Sequence, residues 1–423
     1  MKNLKYPLLF LLLTVFTLNS CMEDTCEREM RYIKRTAVYM SQQEIVDIKT
    51  TGAKALEKPG KIYFYNDYIF VNERNKGIHI IDNSTPSNPS NVAFVNIPGN
   101  IDMAIQGNNL YADNGDDLIT LDISNPTNVQ LVDRKEDVFP KIYEYQTGFL
   151  IYYDEEEVTE VVDCETQNII RNNGGVFFDF ESNDMLSSSP SAASVGSSAS
   201  SGTGGSMARF TISKGHLYAV DNSNMNVFEI TSNPASPTEL SDVNIGWGIE
   251  TIYPYKDKLF IGSNAGMFIF DNSNPASPTQ LSSFQHARAC DPVFVKDNYA
   301  YVTLRSGTWC EGFTNQIDLI DITDLTQPVL EKTFDMDNPH GLSIKGDNLF
   351  LCEGEWGLKA FDISDPMKLD RNEIDHIKDI NAYDVINVPN SDLLLMIGKD
   401  GLYQYDASDA SELELVSKIE VVR

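Results

Sequence analysis

The sequence has few basic residues, few histidines and few tryptophans. Lysine and arginine number 32 against 62 aspartates and glutamates, which gives a formal net charge of -30 at pH 7. Such a chain repels phosphate backbones and anionic surfaces, so binding of nucleic acid is disfavoured. The sequence also lacks the Gly-x-Ser-x-Gly, His-Glu-x-x-His, P-loop and dinucleotide-binding motifs that mark common enzymes. We therefore expect a solvated acidic surface, no cofactor and no metal.

Long apolar runs are absent after the N-terminus. The run from Leu8 to Leu18 follows Lys2 and Lys5; it has the length of a signal-peptide core and is too short for a transmembrane helix. It ends in Leu18-Asn19-Ser20-Cys21, which resembles the lipobox of bacterial lipoproteins. The resemblance implies that residues 1–20 are a lipoprotein signal peptide and that Cys21 is lipidated. An ordinary secretory signal with an accidental cysteine is the alternative.

A lipidated Cys21 would make residues 21–56 a lipidated leader. Two or three acyl chains anchor a protein stably where one chain does not. We therefore expect export and lipid anchoring to the envelope at the outer membrane. Glu23 and Asp24 resemble the acidic signal of surface lipoproteins, which adds the cell surface as a more specific expectation.

An internal repeat covers most of the remaining chain. Eight β-rich runs end at an acidic anchor that is mostly followed by x-Ser or x-Thr, and most anchors lie about 40 residues apart. The anchors are Asp82, Asp122, Asp163, Glu229, Asp271, Asp321, Asp362 and Asp406. The step after the strand predicts an Asx-turn, and Pro86, like its counterparts in other units, then ends the ladder.

Each unit also contains an earlier pair of apolar strands around a polar turn, as in Ile105-Gln-Gly-Asn-Asn-Leu110. Four short strands in about 40 residues are typical of a propeller blade. We therefore predict an all-β protein, a β-propeller of about eight four-stranded blades over residues 57–423. Seven blades are the alternative, because the third unit continues Asp163-Cys-Glu-Thr-Gln without a proline.

The repeats read aliphatic-aliphatic-aliphatic-Asp-Ile/Asn-Ser-Asn-Pro. They resemble the LVIVD repeats of bacterial lipoproteins, over roughly residues 57 to 423. The resemblance implies the propeller architecture. It implies no activity and no catalytic residues.

Two segments fall outside the repeat. Ala37-Val-Tyr-Met40 is predicted to add a strand. Residues 178–206 include a run of serine, glycine and alanine from Ser187 to Ser206 that cannot bury a core and indicates a flexible insertion. Two separate domains joined there are the alternative.

Irregular residues collect on one predicted face. In a four-stranded blade, the loops between the second and third strands and the linkers into the inner strands share one end. Propellers commonly bind ligands there, because these loops vary while the strands stay fixed. Asp102 and Asp384 are also placed at this mouth. The predicted ligand-binding residues are His286, Arg288, Asp291, Arg305, Trp309, His340, Glu250 and Arg209.

Cys290 and Cys310 flank the first two strands of one blade, at the same end, so a disulfide is predicted in an oxidising compartment. A metal cluster of Cys352 with His286 or His340 is the alternative. The acidic runs 113–117 and 335–338 are interpreted as surface turns, because they lack the full ligand set for calcium.

We expect a binding or scaffolding module whose ligand is a protein, a peptide or a glycan. The alternative is a hydrolase or lyase that acts on a glycan or peptide at the mouth. An enzyme requires an acid, a base and a cation close to one point. A scaffold requires no such convergence and would instead expose an aromatic patch.

Overall fold

The computed structural model describes residues 27–163, 203–204, 206–285, 292–306 and 314–422. Its regular secondary structure is nearly all β-strand, with one short helix α1 (Gln42–Val46) and one 3-10 helix (Pro366–Arg371) among the described residues. The first ten strands are β1 (Glu27–Met40), β2 (Lys49–Gly52), β3 (Pro59–Tyr65), β4 (Tyr68–Glu73), β5 (Gly77–Asp82), β6 (Ser90–Asn96), β7 (Met103–Gln106), β8 (Asn109–Asn114), β9 (Asp117–Asp122) and β10 (Gln130–Lys135).

The next eleven are β11 (Glu144–Tyr145), β12 (Gly148–Asp163), β13 (Thr203–Gly204), β14 (Phe210–Ser213), β15 (His216–Val220), β16 (Asn224–Glu229), β17 (Thr238–Asn244), β18 (Ile249–Tyr255), β19 (Lys258–Ser263), β20 (Gly266–Asp271) and β21 (Thr279–Gln285). The last twelve are β22 (Val293–Lys296), β23 (Tyr299–Leu304), β24 (Gln316–Asp321), β25 (Val329–Asp335), β26 (Leu342–Lys345), β27 (Asn348–Cys352), β28 (Leu358–Asp362), β29 (Glu373–Ile377), β30 (Ala382–Asn387), β31 (Leu393–Gly398), β32 (Gly401–Asp406) and β33 (Glu414–Glu420).

The described strands form eight sheets, one for each repeat unit. Seven sheets contain four consecutive antiparallel strands, and we number them blades 1 to 7: β3–β6, β7–β10, β14–β17, β18–β21, β22–β25, β26–β29 and β30–β33. Blade 1 gains β2 and β13 at its two edges. The third repeat unit forms a three-stranded sheet in the order β1-β12-β11, so the predicted added strand at residues 37–40 is present and this unit is the irregular one.

The chain divides into two compact units. Within the smaller unit, the described residues are 27–37 and 153–163, and Arg35 forms an ion pair with Glu155 at 2.8 Å. The larger unit contains all seven blades. In that unit the inner strands contact one another in the closed order β3-β7-β14-β18-β22-β26-β30. The predicted all-β propeller is confirmed, and its cycle of inner strands has seven members.

Aromatic residues at a repeated position fill the space between blades. The third residue of the second strand is buried and aromatic in blades 1 to 6, where a ring can cover a large apolar area. These residues are Phe70, Tyr111, Tyr218, Phe260, Tyr301 and Phe350. The apolar clusters join neighbouring blades; one contains Ile62 of blade 1 together with Leu395 of blade 7. The core therefore lies between the blades.

The repeated Asp-x-Ser step forms the predicted turn. The backbone N–H of Ser84 donates to Oδ1 of Asp82 at 2.9 Å, and Asp122, Asp271, Asp321, Asp362 and Asp406 accept in the same way. The proline loop that follows accepts from the preceding blade in the cycle. The hydroxyl groups of Tyr111 and Tyr218 donate to the carbonyls of Pro234 and Pro275. The repeat therefore fixes both the turn and the contact between blades.

Glycine before the third strand is required by close packing. Gly77 has φ 144°, and a Cβ there would lie 2.0 Å from the carbonyl oxygen of Val95. Gly401 has φ 156° and the same conflict with Ile419. Only glycine tolerates both conditions, as the sequence pattern predicts. No helix in the described residues is long and apolar enough to cross a membrane.

Candidate functional site

The linkers into the inner strands and the loops between second and third strands lie at one end of the blades. Pro59 at the start of β3 pairs with Glu73 at the end of β4. Ile249 at the start of β18 pairs with Ser263 at the end of β19. We call this end the mouth face: the residues that begin the inner strands, with the linkers and loops beside them. The topology predicted from the sequence is therefore correct.

A buried charged cluster lies where the inner strands begin. We call it the central cluster: Lys61, Asp102, Asp113 and Asp384. The exposed fractions are 6%, 3%, 8% and 3%. Nζ of Lys61 lies 2.9 Å from Oδ2 of Asp102. Burial lowers the pKa of Lys61 to about 8, although Asp102 opposes the shift. The sequence pointed to Asp102 and Asp384 but missed Lys61, which stands inside an otherwise apolar strand.

Asp102 also holds the start of blade 3. Its Oδ2 accepts from the backbone N–H groups of Arg209 at 2.5 Å and Phe210 at 3.0 Å. Its Oδ1 accepts from the N–H of Met103 at 2.7 Å. Asp102 therefore bridges blades 1, 2 and 3 through Lys61 and these N–H groups.

The other two carboxyl groups differ from Asp102 in their surroundings. Burial raises the pKa of Asp384 to about 7, although the N–H of Val385 opposes it. Burial likewise raises the pKa of Asp113 to about 6 against hydrogen bonds from the N–H groups of Asp102 and Ile101. Oδ2 of Asp384 has no hydrogen-bond partner among the described residues. Asp384 and Asp113 therefore keep their protons to a higher pH than an ordinary aspartate does.

Arg305 and His340, two of the predicted ligand-binding residues, are in direct contact. Nη1 of Arg305 lies 2.7 Å from Nδ1 of His340, and their exposed fractions are 5% and 1%. Burial, and then the charge of Arg305, lowers the pKa of His340 well below its usual value. The ring is therefore neutral and accepts from the guanidinium. This pair is closed to solvent rather than open to a ligand.

Two further acid–base pairs occupy equivalent positions in blades 1 and 6. Nζ of Lys359 lies 2.7 Å from Oε2 of Glu353 and 2.7 Å from Oδ2 of Asp337. Burial raises the pKa of Glu353, while the hydrogen bond from Lys359 lowers the pKa of Asp337. In blade 1, Nε2 of His79 lies 3.0 Å from Oε2 of Glu73. Glu73 ends the second strand of blade 1 and Glu353 directly follows the second strand of blade 6, and in both blades the partner lies in the third strand.

The remaining predicted residues are distributed as follows. Arg209 and Glu250 are partly buried at the starts of blades 3 and 4. The positions outside the described residues are His286, Arg288, Asp291, Trp309, Cys290, Cys310 and Cys21. The disulfide, the lipid site and these ligand-binding assignments stay predictions. Cys352 is buried, and burial raises the pKa of its thiol. In the part of the chain that the structure describes, no cluster of histidine, cysteine and acidic residues could hold a metal.

Exposed tryptophans are the other feature of the mouth face. Trp247, in the linker into β18, is 74% exposed, and Trp356, in the loop after β27, is 40% exposed. The sequence has three tryptophans, and the third, Trp309, falls between strands β23 and β24 of blade 5. Trp247 was not among the residues predicted from the sequence. Its flanking residues, Gly246 and Gly248, are a turn signal in the sequence, and both have positive φ in the structure.

The repeat itself matches a known family model. Residues 60–97, 101–136, 257–285 and 287–336 match the model described as LVIVD repeat. The chain carries LVIVD repeats. The resemblance stated from the sequence is thus confirmed over blades 1, 2, 4 and 5. No curated protein matches the sequence.

Solved structures share the fold of this LVIVD-repeat chain at low identity. A putative 6-phosphogluconolactonase from Bacteroides fragilis is 10% identical with a TM-score of 0.51, over 89% of this chain and 96% of that one. A functionally unknown protein from Desulfotomaculum acetoxidans is 11% identical with a TM-score of 0.50, over 84% and 95%. Sqt1 of Saccharomyces cerevisiae is 8% identical with a TM-score of 0.50, over 92% and 88%. At these identities the likeness concerns the fold alone.

Proposed function

We propose that this protein is a lipid-anchored binding or scaffolding module of the cell envelope, and that its ligand contacts the mouth face. The propeller fold and its repeats support a binding or scaffolding role. The observation that carries the proposal is the placement of two tryptophans: Trp247 and Trp356 are exposed on this face. Exposed tryptophans are typical anchors of binding surfaces.

The charged residues of the same face support binding over catalysis. Lys61, Asp102 and Asp384 bring a cation and carboxyl groups together, but each is at most 6% exposed. The side chains of Arg305 and His340 are buried to the same degree. A catalytic acid and base must contact the substrate. Here the charged groups are buried and contact one another instead. Their arrangement suits the joining of blades, which leaves the aromatic loops for a ligand.

Tryptophan fluorescence tests this proposal, because Trp247 and Trp356 are exposed on the proposed face. The full chain is titrated with soluble oligosaccharides and with peptides, and emission is followed. Trp247→Ala and Trp356→Ala are each expected to weaken the binding of a ligand so found at least tenfold. Leu415→Ala is the control, since Leu415 is 57% exposed on the outer strand of blade 7. Unchanged affinity in both tryptophan variants would show that the ligand binds elsewhere.

Lipid anchoring through Cys21 has its own test. Cells that express the full chain are grown with an alkyne-tagged fatty acid, and the protein is examined for label. The wild-type chain is expected to carry the label and to sediment with membranes. Cys21→Ser should carry none, while Cys352→Ser should behave like the wild type. Equal labelling of Cys21→Ser and wild type would refute the anchor.

A further inference from the structure

The end of the Ser/Gly-rich run enters the centre of the propeller before blade 3 begins. Thr203 and Gly204 pair antiparallel with Phe64 and Tyr63 of β3. In the sheet of blade 1 the strand order is β13-β3-β4-β5-β6-β2, so β13 lies on the inner side of the inner strand. That side of a propeller sheet faces the central channel.

The next residues bond to the inner strands of three other blades. The N–H of Leu342 in β26 donates to Oγ of Ser206 at 2.7 Å. The N–H of Ile252 in β18 donates to the carbonyl oxygen of Ala208 at 2.8 Å. The N–H of Arg209 donates to Asp102, which directly precedes β7.

These contacts cannot all be made from the rim of the propeller. In the closed order of inner strands, β3, β7, β18 and β26 belong to blades 1, 2, 4 and 6, which face one another across the axis. One short segment that bonds to all four must lie on the axis. Ser206, Met207 and Ala208 are correspondingly 3%, 1% and 3% exposed.

We propose that the central channel is a peptide-binding cleft and that residues 203–204 and 206–210 are its resident ligand, a plug supplied by the chain itself. The cleft recognises an extended peptide that begins with small residues. Its parts are the inner edge of β3, the N–H groups of Leu342 and Ile252, and the carboxylate of Asp102. Strand addition to a sheet edge with side-chain contacts at fixed positions is a common mode of peptide recognition.

The composition of the plug suits this role. Thr203, Gly204, Ser206 and Ala208 are small residues, so the backbone of the plug can approach the inner strands closely. One consequence rests on the function proposed above: the plug forms the floor of the mouth face. A ligand then lies across that face, over the plug, and does not pass into the channel.

A cysteine pair tests the position of the plug. Residues opposite each other in antiparallel strands have Cα atoms about 5 Å apart, which a disulfide can bridge. In the full chain, Phe64→Cys with Thr203→Cys should cross-link under mild oxidation at least tenfold more than Ile62→Cys with Thr203→Cys, where the partner is two residues further along β3. Equal cross-linking in both pairs, or none in the first, overturns the proposal. Neither result involves a ligand, so the function proposed above is tested separately.

Hydrogen exchange of the full chain gives a second, independent measurement. The amides of Arg209 and Phe210 should exchange at least tenfold more slowly than the exposed turn at residues 85–88. A double variant, Lys61→Met with Asp102→Ala, removes the acceptor without leaving one buried charge unpaired. Its plug amides should lose protection while β23 keeps its own. Fast exchange of both amides in the wild type overturns the proposal, whether or not the double variant folds.

Discussion

Asn83 and Gln404 form a reciprocal pair of side-chain hydrogen bonds between residues 321 positions apart. Nδ2 of Asn83 donates to Oε1 of Gln404 at 3.0 Å, and Nε2 of Gln404 donates to Oδ1 of Asn83 at 2.7 Å. Gln404 also donates to the carbonyl of Pro86 at 3.2 Å. The pair joins blade 7 to the proline loop of blade 1, and it is buried. It therefore closes the cycle of blades.

Gln404→Leu should lower the free energy of unfolding by about 2 kcal/mol, because the buried amide of Asn83 loses its partner. The measurement is the urea midpoint, with the denaturant slope checked for constancy. Gln280→Leu is the matched control, since Gln280 is exposed on β21 and should change the midpoint little. Equal effects of the two substitutions would show that the pair contributes nothing specific.

The sequence predicted the blade because the blade depends on local chemistry. The turn at Asp82 and Ser84 depends on residues of a single repeat unit, and so does the glycine at position 77. A repeated sequence pattern therefore reveals both. The β-bulge between the third and fourth strands, present in all seven blades, leaves no such mark. It depends on how the outer strand bends against its partner.

The site was predicted only in part, for a related reason. Arg305 and His340 share a face by topology, so their proximity could be anticipated. Their burial depends on packing between two blades, which one unit of the repeat does not encode. In the sequence, Lys61 is one polar residue in an otherwise apolar strand. Its role depends on the ion pair with Asp102 of the next blade, which only the folded structure shows.

Asp384→Asn should change how stability depends on pH. The native pKa of Asp384, about 7, lies above the ordinary value of 3.8. The folded chain therefore holds this proton between pH 4 and 7, and the stability it contributes below pH 4 is lost as pH rises through 7. Since the neutral amide cannot ionise, the variant should match wild type near pH 4, where Asp384 is still protonated, and exceed it at pH 8 by on the order of 4 kcal/mol.

The free energy of unfolding is measured with urea at a series of pH values for Asp384→Asn and for wild type. The wild-type values are then subtracted from those of the variant. His340 acts in the opposite direction below its ordinary pKa of 6.5, because its native pKa is depressed, and subtraction removes that contribution. Asp335→Asn, at an exposed position of β25, is the control. A difference between Asp384→Asn and wild type that does not vary with pH contradicts the assignment.

Lys359→Met should be strongly destabilising, by about 3 kcal/mol, because it leaves the buried Glu353 without its cation. Adding Glu353→Leu should recover most of that loss, since the uncompensated charge is then gone. Lys345→Met is the control: Lys345 pairs with Asp392 at 2.6 Å, but the two side chains are 37% and 64% exposed. Thermal and urea unfolding should show a change below about 1 kcal/mol for that surface pair. A double variant no more stable than Lys359→Met would count against the pairing argument.

Trp247→Ala and Trp356→Ala should leave the fold intact. Substitution of exposed side chains usually changes stability by less than about 0.5 kcal/mol. Unfolding midpoints, measured by circular dichroism, should therefore match wild type, so that a loss of binding in these variants reports on the surface. Phe260→Ala at a buried position should lower the midpoint clearly. A large loss of stability in either tryptophan variant would mean that the ring supports its loop instead.

Closure between blades 1 and 7 has a kinetic consequence. Each blade uses four consecutive strands, so its pairings form between residues close in sequence. The contact between blades 1 and 7, which we call the seam, instead joins distant parts of the chain, with Leu56 bridged to Val421. Because closing so long a loop costs entropy, such contacts form late in folding. Contacts made after the transition state govern the rate of unfolding. The lifetime of the folded propeller should therefore depend on this one seam more than on any blade.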